Sequence, residues 1–288
     1  MNTYIDFHSH SVNSDGALTP MEVCRKALEA GIRVLAITDH NYTGDLTDLQ
    51  AAFPQIRLVQ GAEISCIGTD DSGKETELHV VALGVDPDNP RLQAVLKQNQ
   101  PDRQPYIDAI LEKLRLCGID LGSYQDLCRL LSGKRHIGRM DICKLLVERG
   151  YVSSIEEGFD EYVGGHGKQR AYVPNRLRYV SLEQAVEAIL DAGGIPVLAH
   201  LYYYLLSDEE NESLLRRFKA LTGDKGAMEV YYALYSRQQR EALLALARKH
   251  GLMCSAASDF HGYSENETLA HHFQSSDCAE LLQSLGME

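Results

Sequence analysis

The sequence predicts a barrel-like α/β fold, and three observations lead to this prediction. Short apolar runs typical of buried parallel strands alternate with helical patterns along most of the chain. Histidine and acidic residues directly follow several of these runs, and α/β barrels collect their active sites at the carboxyl ends of their strands. The 288 residues suffice for one barrel-sized domain or for two smaller ones.

The first predicted strand, residues 4–7, leads into His8-Ser9-His10. Side chains at positions i and i+2 of a strand point to the same side, so His8 and His10 can contact one metal ion together. A single His-x-His pair is weak evidence, because exposed strands carry such pairs by chance. The hypothesis of a metal site therefore depends on the candidate ligands that recur later in the chain.

The first helix is predicted to follow Thr19. Thr19 and Glu22 have the spacing of a capping box, and Pro20 takes the first helical position. Gly31 predicts the end of this helix. Ser181 begins a second capping-box sequence and predicts another helix in the second half of the chain.

Further short strands are predicted to lead to candidate ligands. These strands cover residues 34–37, 57–60, 195–198 and 252–256, with another near 226–231. The candidates that follow them are Asp39, His40, Glu63, His200, Asp259 and His261. Parallel strands present their carboxyl ends at one side of a barrel, so we expect these side chains to lie close together.

The middle of the chain follows a different pattern. Helical patterns cover residues 105–117, 123–131, 138–148 and 154–162, with no clear strand between them. We interpret residues 101–172 as a helical insertion domain that covers the active site. Residues 1–100 and 173–288 then form the barrel, which is predicted to resume with residues 172–174.

The formal net charge of −13, from 28 basic and 41 acidic residues, disfavours a protein that grips long duplex nucleic acid through a basic surface. No apolar run reaches the roughly 18 residues of a membrane span, and no secretory signal is recognisable. None of the seven cysteines forms a Cys-x-x-Cys pair. We therefore expect a cytoplasmic protein with reduced thiols and no membrane partner.

The candidate ligands resemble those of the PHP superfamily (polymerase and histidinol phosphatase) in type, order and spacing. The matching segments are His8-Ser9-His10, Ser14-Asp15-Gly16, Thr38-Asp39-His40, Gly61-Ala62-Glu63, Glu77-Leu78-His79, Ala199-His200 and Ser258-Asp259-Phe260-His261. The resemblance implies a distorted (β/α)7 barrel that holds two or three divalent ions. Nitrogen and carboxylate ligands without thiolate suit Mn, Fe or Zn.

The resemblance also implies which residues surround each ion. The first ion would lie among His8, His10, Glu63 and Asp259. Glu63 would bridge to a second ion held by His79 and His200, and the third would lie among Asp15, His40 and His261. Considered singly, His79 and His200 are more often buried core histidines, Asp15 suits a turn before Gly16, and Asp39 suits a structural role or the orientation of a histidine.

The implied activity is that of a hydrolase acting on phosphoric ester bonds. A metal-activated hydroxide would attack a phosphomonoester in line and release phosphate and an alcohol. Glu63, Asp259 and His261 are the predicted catalytic residues. Either Asp259 or a metal-bound water would protonate the leaving oxygen.

Within the superfamily, the chain resembles bacterial phosphoesterases that act on nucleoside 3′,5′-bisphosphates and on short oligonucleotide 5′ ends. Those enzymes have a basic stretch similar to Lys134-Arg135-His136-Ile137-Gly138-Arg139. His136 and Arg139, three residues apart, would share a helix face and bind a substrate phosphate; the alternative is an exposed basic patch. Lys168 reaches a phosphate or belongs to a plain flexible loop.

The leading hypothesis is a phosphatase for a small nucleotide with two phosphates, with short oligonucleotides as a second substrate class. Two alternatives are a histidinol-phosphate phosphatase and a non-catalytic PHP binding module. After His200 the family commonly has proline, whereas here Leu201-Tyr202-Tyr203-Tyr204 follows. These rings either stack on a nucleobase or pack beneath the barrel rim.

Overall fold

The computed structural model describes residues 3–70, 72–100, 103–131, 137–173, 179–264, 267–269 and 272–287. The chain divides into two compact units. The first unit comprises Met1–Ser11, Gly16–Asn99 and Tyr179–Glu288. The second comprises Val12–Asp15 and Gln100–Arg178.

The first unit contains two sheets. In chain order, the described strands are β1 (Tyr4–Asp6), β2 (Ile32–Ala36), β3 (Arg57–Val59), β4 (Gly61–Thr69), β5 (Glu75–Leu83), β6 (Val180–Ser181), β7 (Ile195–Leu198), β8 (Ala227–Tyr232) and β9 (Met253–Ala257). One sheet has the order β1-β2-β3, and the other has the order β6-β4-β5-β7-β8-β9. The predicted α/β class is confirmed.

Hydrogen bonds connect the two sheets at both ends. Phe7 N–H donates to the Ala256 carbonyl at 2.9 Å, which joins the end of β1 to β9. Glu63 N–H donates to the Thr38 carbonyl at 3.1 Å, which joins β4 to the segment after β2. These bonds bring the carboxyl ends of β1, β2 and β9 next to the start of β4.

Strand β5 departs from the all-parallel arrangement that the sequence pattern favours. It runs antiparallel to both β4 and β7. Only residues 70–74 separate β4 from β5, and a parallel connection needs a crossover of a dozen or more residues. The length of this connection therefore reverses the chain direction. Glu63 lies inside β4, although it was predicted to follow the end of a strand, and His79 lies inside β5.

Eleven α-helices lie in the described ranges. They are α1 (Pro20–Glu29), α2 (Thr47–Ala52), α3 (Pro90–Gln98), α4 (Gln104–Leu116), α5 (Tyr124–Leu130), α6 (Arg139–Glu148), α7 (Ile155–Gly158), α8 (Leu182–Asp191), α9 (Asp208–Thr222), α10 (Arg237–His250) and α11 (Ala279–Ser284). Thr19 and Ser181 form the predicted capping boxes at the starts of α1 and α8. None of these helices is long and apolar enough to cross a membrane.

Helices α4 to α7 form the second unit and agree with the four predicted helical segments. They bury their own apolar core, which includes Ile107, Ile110, Leu114, Ile142 and Leu146. The last segment is the short α7 followed by a π-helical turn, Phe159–Val163. The predicted return to a strand at 172–174 is wrong for Tyr172 and Val173, since the next described strand is β6; Pro174 lies outside the described residues.

Candidate metal centre

Eight of the nine predicted metal ligands belong to the first unit, and their side chains meet there. They are His8, His10, His40, Glu63, His79, His200, Asp259 and His261. The segments after β1, β2, β7 and β9 carry six of them, and β4 and β5 carry Glu63 and His79. The hydrogen bonds that connect the two sheets bring these segments together.

The Glu63 carboxylate lies at the centre of the cluster, and one of its oxygens faces three histidines. Glu63 Oε2 lies 3.3 Å from Nε2 of His8, 3.3 Å from Nε2 of His10 and 3.0 Å from Nδ1 of His40. This oxygen is fully buried, and no donor among the described residues has hydrogen-bonding geometry toward it. A cation among these atoms would compensate for the buried charge.

The other oxygen of Glu63 faces a different pair of histidines. Oε1 lies 2.8 Å from Nδ1 of His79 and 3.1 Å from Nε2 of His200. The two oxygens of one carboxylate therefore face two separate groups of imidazoles. This is the arrangement that a carboxylate bridging two ions requires.

Asp259 and His261 lie beside the first pair of histidines. Asp259 Oδ1 is 3.4 Å from Nε2 of His8 and 3.2 Å from Nε2 of His10. The His261 ring stacks on the His10 ring with a centroid distance of 4.2 Å, and its Nδ1 contacts the Asp259 carbonyl at 2.8 Å. The segment after β9 thus brings a carboxylate and an imidazole to the β1 histidines.

The distances between ligand atoms fit a metal centre. Nε2 of His8 and Nε2 of His10 face each other at 3.0 Å. Two nitrogens bound to one zinc ion at about 2.0–2.1 Å in tetrahedral geometry are separated by roughly 3.3 Å. Ligand atoms within 4.8 Å of one another also define the groups His8, His10 and Glu63; His40, Glu63 and His79; and His10, His40 and His261.

The close approach of acids and imidazoles changes their pKa values. Burial alone would raise the pKa of the Glu63 carboxyl, but His40, His8 and His79 hold it well below its usual range. Burial would lower the pKa of His8, but Glu63, Glu229 and Asp259 raise it well above its usual value. The direction of the Glu63 shift agrees with the ionised form that a metal ligand takes.

The contacts of Asp39 support the alternative in which this residue has a structural role. It is buried, and its carboxylate accepts the Ser11 N–H at 2.8 Å and the Ser11 hydroxyl at 2.6 Å. These bonds tie the segment after β1 to the segment after β2. Asp39 thus positions the loop that follows His10.

The residue after Asp15 must be glycine for a steric reason. A Cβ atom on Gly16 would lie 2.7 Å from the backbone of His10 and Ser11, so only glycine allows the chain to approach the His10 segment this closely. Asp15 itself belongs to the short segment Val12–Asp15 of the second unit. Its role as a ligand of the third ion stays a prediction.

The predicted substrate-binding residues belong to the second unit. Arg139 is the first residue of α6, and its guanidinium lies 5.8 Å from the centre of the Phe159 ring. Lys168 forms an ion pair with Glu161 at 2.5 Å. His136 lies outside the described residues.

The three consecutive tyrosines after His200 differ in their surroundings. Tyr202 packs against Tyr235, and the Tyr204 hydroxyl donates to the Ala199 carbonyl at 2.8 Å. Both rings therefore stabilise the fold. Tyr203 is 72% exposed, and its ring centre lies 5.5 Å from that of His200. Of the three, Tyr203 is the exposed ring.

Sequence reasoning missed Glu229 on β8, and it considered Tyr232 only as an aromatic ring near the pocket, not as a partner of a predicted ligand. Glu229 contacts His8 and His200, and Tyr232 contacts Asp259. The sequence did contain a signal for Glu229: it is an acidic residue inside the apolar run Ala-Met-Glu-Val-Tyr-Tyr of the predicted strand near 226–231. A buried strand carries such a charge only where a partner compensates for it.

Comparison with known families matches the PHP domain over residues 6–248. The chain is 35% identical over 260 residues to the 5′-3′ exoribonuclease Rnm of Escherichia coli strain K12, which covers 89% of this chain and 84% of that relative. It is also 35% identical over 263 residues to the 3′,5′-nucleoside bisphosphate phosphatase of Chromobacterium violaceum, with coverage of 91% and 88%.

Solved structures show the same relationship. A Bifidobacterium adolescentis protein, provisionally named a metal-dependent phosphoesterase, superposes with a TM-score of 0.78 at 27% identity. The superposition covers 97% of this chain and 96% of that protein. The similarity thus extends over nearly the whole length of both chains.

Proposed function

The chain belongs to the PHP domain family and is a metal-dependent phosphoesterase, and we propose that it hydrolyses a phosphomonoester of a small nucleotide with two phosphates. The nucleoside 3′,5′-bisphosphates are the substrate class, and short oligonucleotide 5′ ends are a second one. The names of the two relatives, a bisphosphate phosphatase and an exoribonuclease, support these two classes.

The observation that carries the proposal is the pair of histidine groups around Glu63. In the proposal, His8, His10, Glu63 and Asp259 hold the first ion, Glu63, His79 and His200 hold the second, and Asp15, His40 and His261 hold a third. Mn, Fe and Zn all suit these ligands. When bound, such ions supply a water that is deprotonated near neutral pH and positive charge for the phosphoryl oxygens.

The protein's own residues fix the geometry of this chemistry. Glu63 spans both histidine groups through its two oxygens. Asp259 keeps Oδ1 toward the His8 and His10 rings, and His261 contacts the Asp259 carbonyl. We therefore assign the catalytic roles to Glu63, Asp259 and His261.

Phosphate release with added Mn²⁺, measured together with the release of mononucleotides from the oligonucleotide, tests the proposal directly. We would compare adenosine 3′,5′-bisphosphate, AMP, a 5′-phosphorylated short oligonucleotide and histidinol phosphate as substrates. Preference for the bisphosphate or the oligonucleotide is the expected result. Preference for histidinol phosphate would be consistent with the proposed metal site but would contradict the proposed substrate class. No release from any of them, by protein that contains no metal, would favour a non-catalytic binding module.

The second phosphate of the substrate is assigned to His136, Arg139 and Lys168 of the helical insertion domain, which we propose covers the active site. Arg139→Ala is expected to raise KM for the bisphosphate about 10-fold or more, because a charge-assisted bond to a phosphate contributes roughly 1.5–3 kcal/mol. The KM for AMP should change far less. Steady-state kinetics with both substrates measure the difference.

Arg129→Ala is the matched control, because Arg129 is an exposed arginine of the same unit, paired with Asp126. Its kinetics should match those of the unmodified protein. An equal rise in KM for AMP and for the bisphosphate in Arg139→Ala would contradict the assignment to the second phosphate.

Tyr203 is assigned to the nucleobase, because its ring is exposed beside His200. Stacking of a base on an aromatic ring contributes about 1–3 kcal/mol. Tyr203→Ala is therefore expected to raise KM for the nucleotide roughly 5- to 150-fold, whereas Tyr203→Phe retains the ring and the affinity. Kinetics on a ribose bisphosphate without a base provide the control, since that substrate should not distinguish the variants.

A further inference from the structure

Strand β8 carries none of the predicted metal ligands, but two of its side chains contact three of them. Glu229 Oε1 lies 2.6 Å from Nδ1 of His8, and Glu229 Oε2 accepts the backbone N–H of His200 at 2.7 Å. The Tyr232 hydroxyl donates to Asp259 Oδ2 at 2.7 Å. These contacts reach segments that follow three different strands, β1, β7 and β9.

The contact with Glu229 determines which nitrogen of His8 faces the cluster. A carboxylate only accepts hydrogen bonds, so Nδ1 of His8 carries the hydrogen in this pair. The lone pair of neutral His8 is then on Nε2, the atom that faces Glu63 and Asp259. A carboxylate that accepts a hydrogen bond from a metal-binding histidine fixes both the tautomer and the orientation of the imidazole ring.

The second oxygen of Glu229 holds an unfavourable backbone conformation. His200 has a φ of +27°, which side-chain-bearing residues rarely adopt. Its N–H is bonded to Glu229, and its Nε2 lies 3.1 Å from Glu63 Oε1. The single carboxylate of Glu229, which is only 1% exposed, thus fixes one predicted ligand of each histidine group.

A bulge in β8 explains how both side chains reach the site. Positions three apart on a regular strand point to opposite sides. The register between β8 and β9 shifts here, because Glu229 pairs with Ser255 while Tyr231 pairs with Ala256. Val230 is the additional residue, and a bulge of this kind redirects side chains. Glu229 and Tyr232 therefore reach the same cluster.

We propose that Glu229 and Tyr232 are positioning residues that orient His8, His200 and Asp259 for metal binding, and that the bulge at Val230 places them there. Glu229 fixes the nitrogen that His8 presents and the backbone of His200. Tyr232 occupies Oδ2 of Asp259 and leaves Oδ1 toward the β1 histidines. The inference rests on the metal site of the proposed function and not on its substrate.

Metal affinity tests the proposal without relying on turnover. Glu229→Gln retains the size of the side chain. Its amide, however, presents an N–H to one of the two groups that donate to Glu229, the His8 ring and the His200 backbone. We expect its affinity for Mn²⁺ to fall 10- to 100-fold, as for other residues that support metal ligands. Calorimetric titration of metal-free protein with Mn²⁺ and metal analysis after dialysis both measure this loss.

The dependence of activity on free Mn²⁺ separates positioning from a merely structural role. Positioning predicts that the midpoint of activation moves to a 10- to 100-fold higher Mn²⁺ concentration. A structural role would reduce the amount of active protein and leave the midpoint unchanged, which would overturn the proposal. If the unmodified protein binds Mn²⁺ and Glu229→Gln binds it equally well, the positioning role would also be overturned. The proposed function would then remain intact.

Two neighbouring tyrosines provide a matched pair that removes only a hydroxyl. Tyr232→Phe is expected to weaken Mn²⁺ binding, whereas Tyr231→Phe should not, because the Tyr231 ring faces Phe273 at 6.2 Å. If Glu229→Gln fails to fold, the two tyrosine variants test the proposal instead. Equal Mn²⁺ affinities of Tyr232→Phe and Tyr231→Phe would overturn it. Unmodified protein that binds no metal would remove the basis of both the inference and the proposed function.

Discussion

Replacing Asp259 by asparagine is expected to lower kcat for the preferred phosphomonoester by roughly 10³-fold or more. Oδ1 of Asp259 lies within 3.4 Å of Nε2 of both His8 and His10, and an amide is neutral and a weaker ligand. Loss of charge stabilisation by a metal centre costs several kcal/mol of activation free energy, and each 1.36 kcal/mol is tenfold in rate. Steady-state kinetics at saturating Mn²⁺ measure the effect.

Asp224→Asn makes the same chemical change on the surface of the first unit, where Asp224 pairs with Lys219 at 3.3 Å. Its kcat should equal that of the unmodified protein, because exposed ion pairs contribute little. Turnover by Asp259→Asn within tenfold of the unmodified protein would show that Asp259 is not a ligand of the catalytic ions.

Removal of the bound metals is expected to abolish phosphate release and to lower the melting temperature by about 8–16 °C. A ligand present at 1,000 times its Kd adds about 4.1 kcal/mol to the free energy of unfolding, and each kcal/mol corresponds to roughly 2–4 °C in a protein of this size class. The ligands lie within or after different strands, so a shared ion links segments that are distant in sequence. Thermal unfolding after treatment with a chelator measures the shift.

The same chelator saturated beforehand with Mn²⁺ is the control for nonspecific effects on stability. Excess Mn²⁺ added to the stripped protein should restore both the melting temperature and the activity. Identical melting temperatures before and after stripping would show that the histidine cluster binds ions too weakly to contribute to the fold.

Much of the fold could be predicted from local signals. The capping boxes at Thr19 and Ser181 identify helix starts, because their side chains bond the backbone within the same turn. The direction of β5 was not predicted from its apolar pattern, since buried strands of either direction have similar composition. The short connection between β4 and β5 was the available signal for the reversal.

The order of histidines and acids along the sequence predicted the candidate ligands that the first unit brings together. Residue type sufficed there, because several buried imidazoles and carboxylates have few compatible roles other than metal binding. The sequence did not separate the three tyrosines after His200. The contact between the Tyr202 and Tyr235 rings forms only when the segments after β7 and β8 pack together. The bond from the Tyr204 hydroxyl to the Ala199 carbonyl forms only once the segment after β7 has folded back on itself.

The sequence by itself determined the fold class, the family and the chemical nature of the candidate site, because these follow from residue types and their spacing. Only the tertiary structure decided which oxygen of Glu63 faces which histidines, and that Glu229 and Tyr232 support them. The direction of a strand side chain depends on its register with the neighbouring strand, and the shift between Glu229 and Tyr231 arises from pairing with β9. That pairing joins residues about 25 positions apart, so no local pattern in β8 contains it.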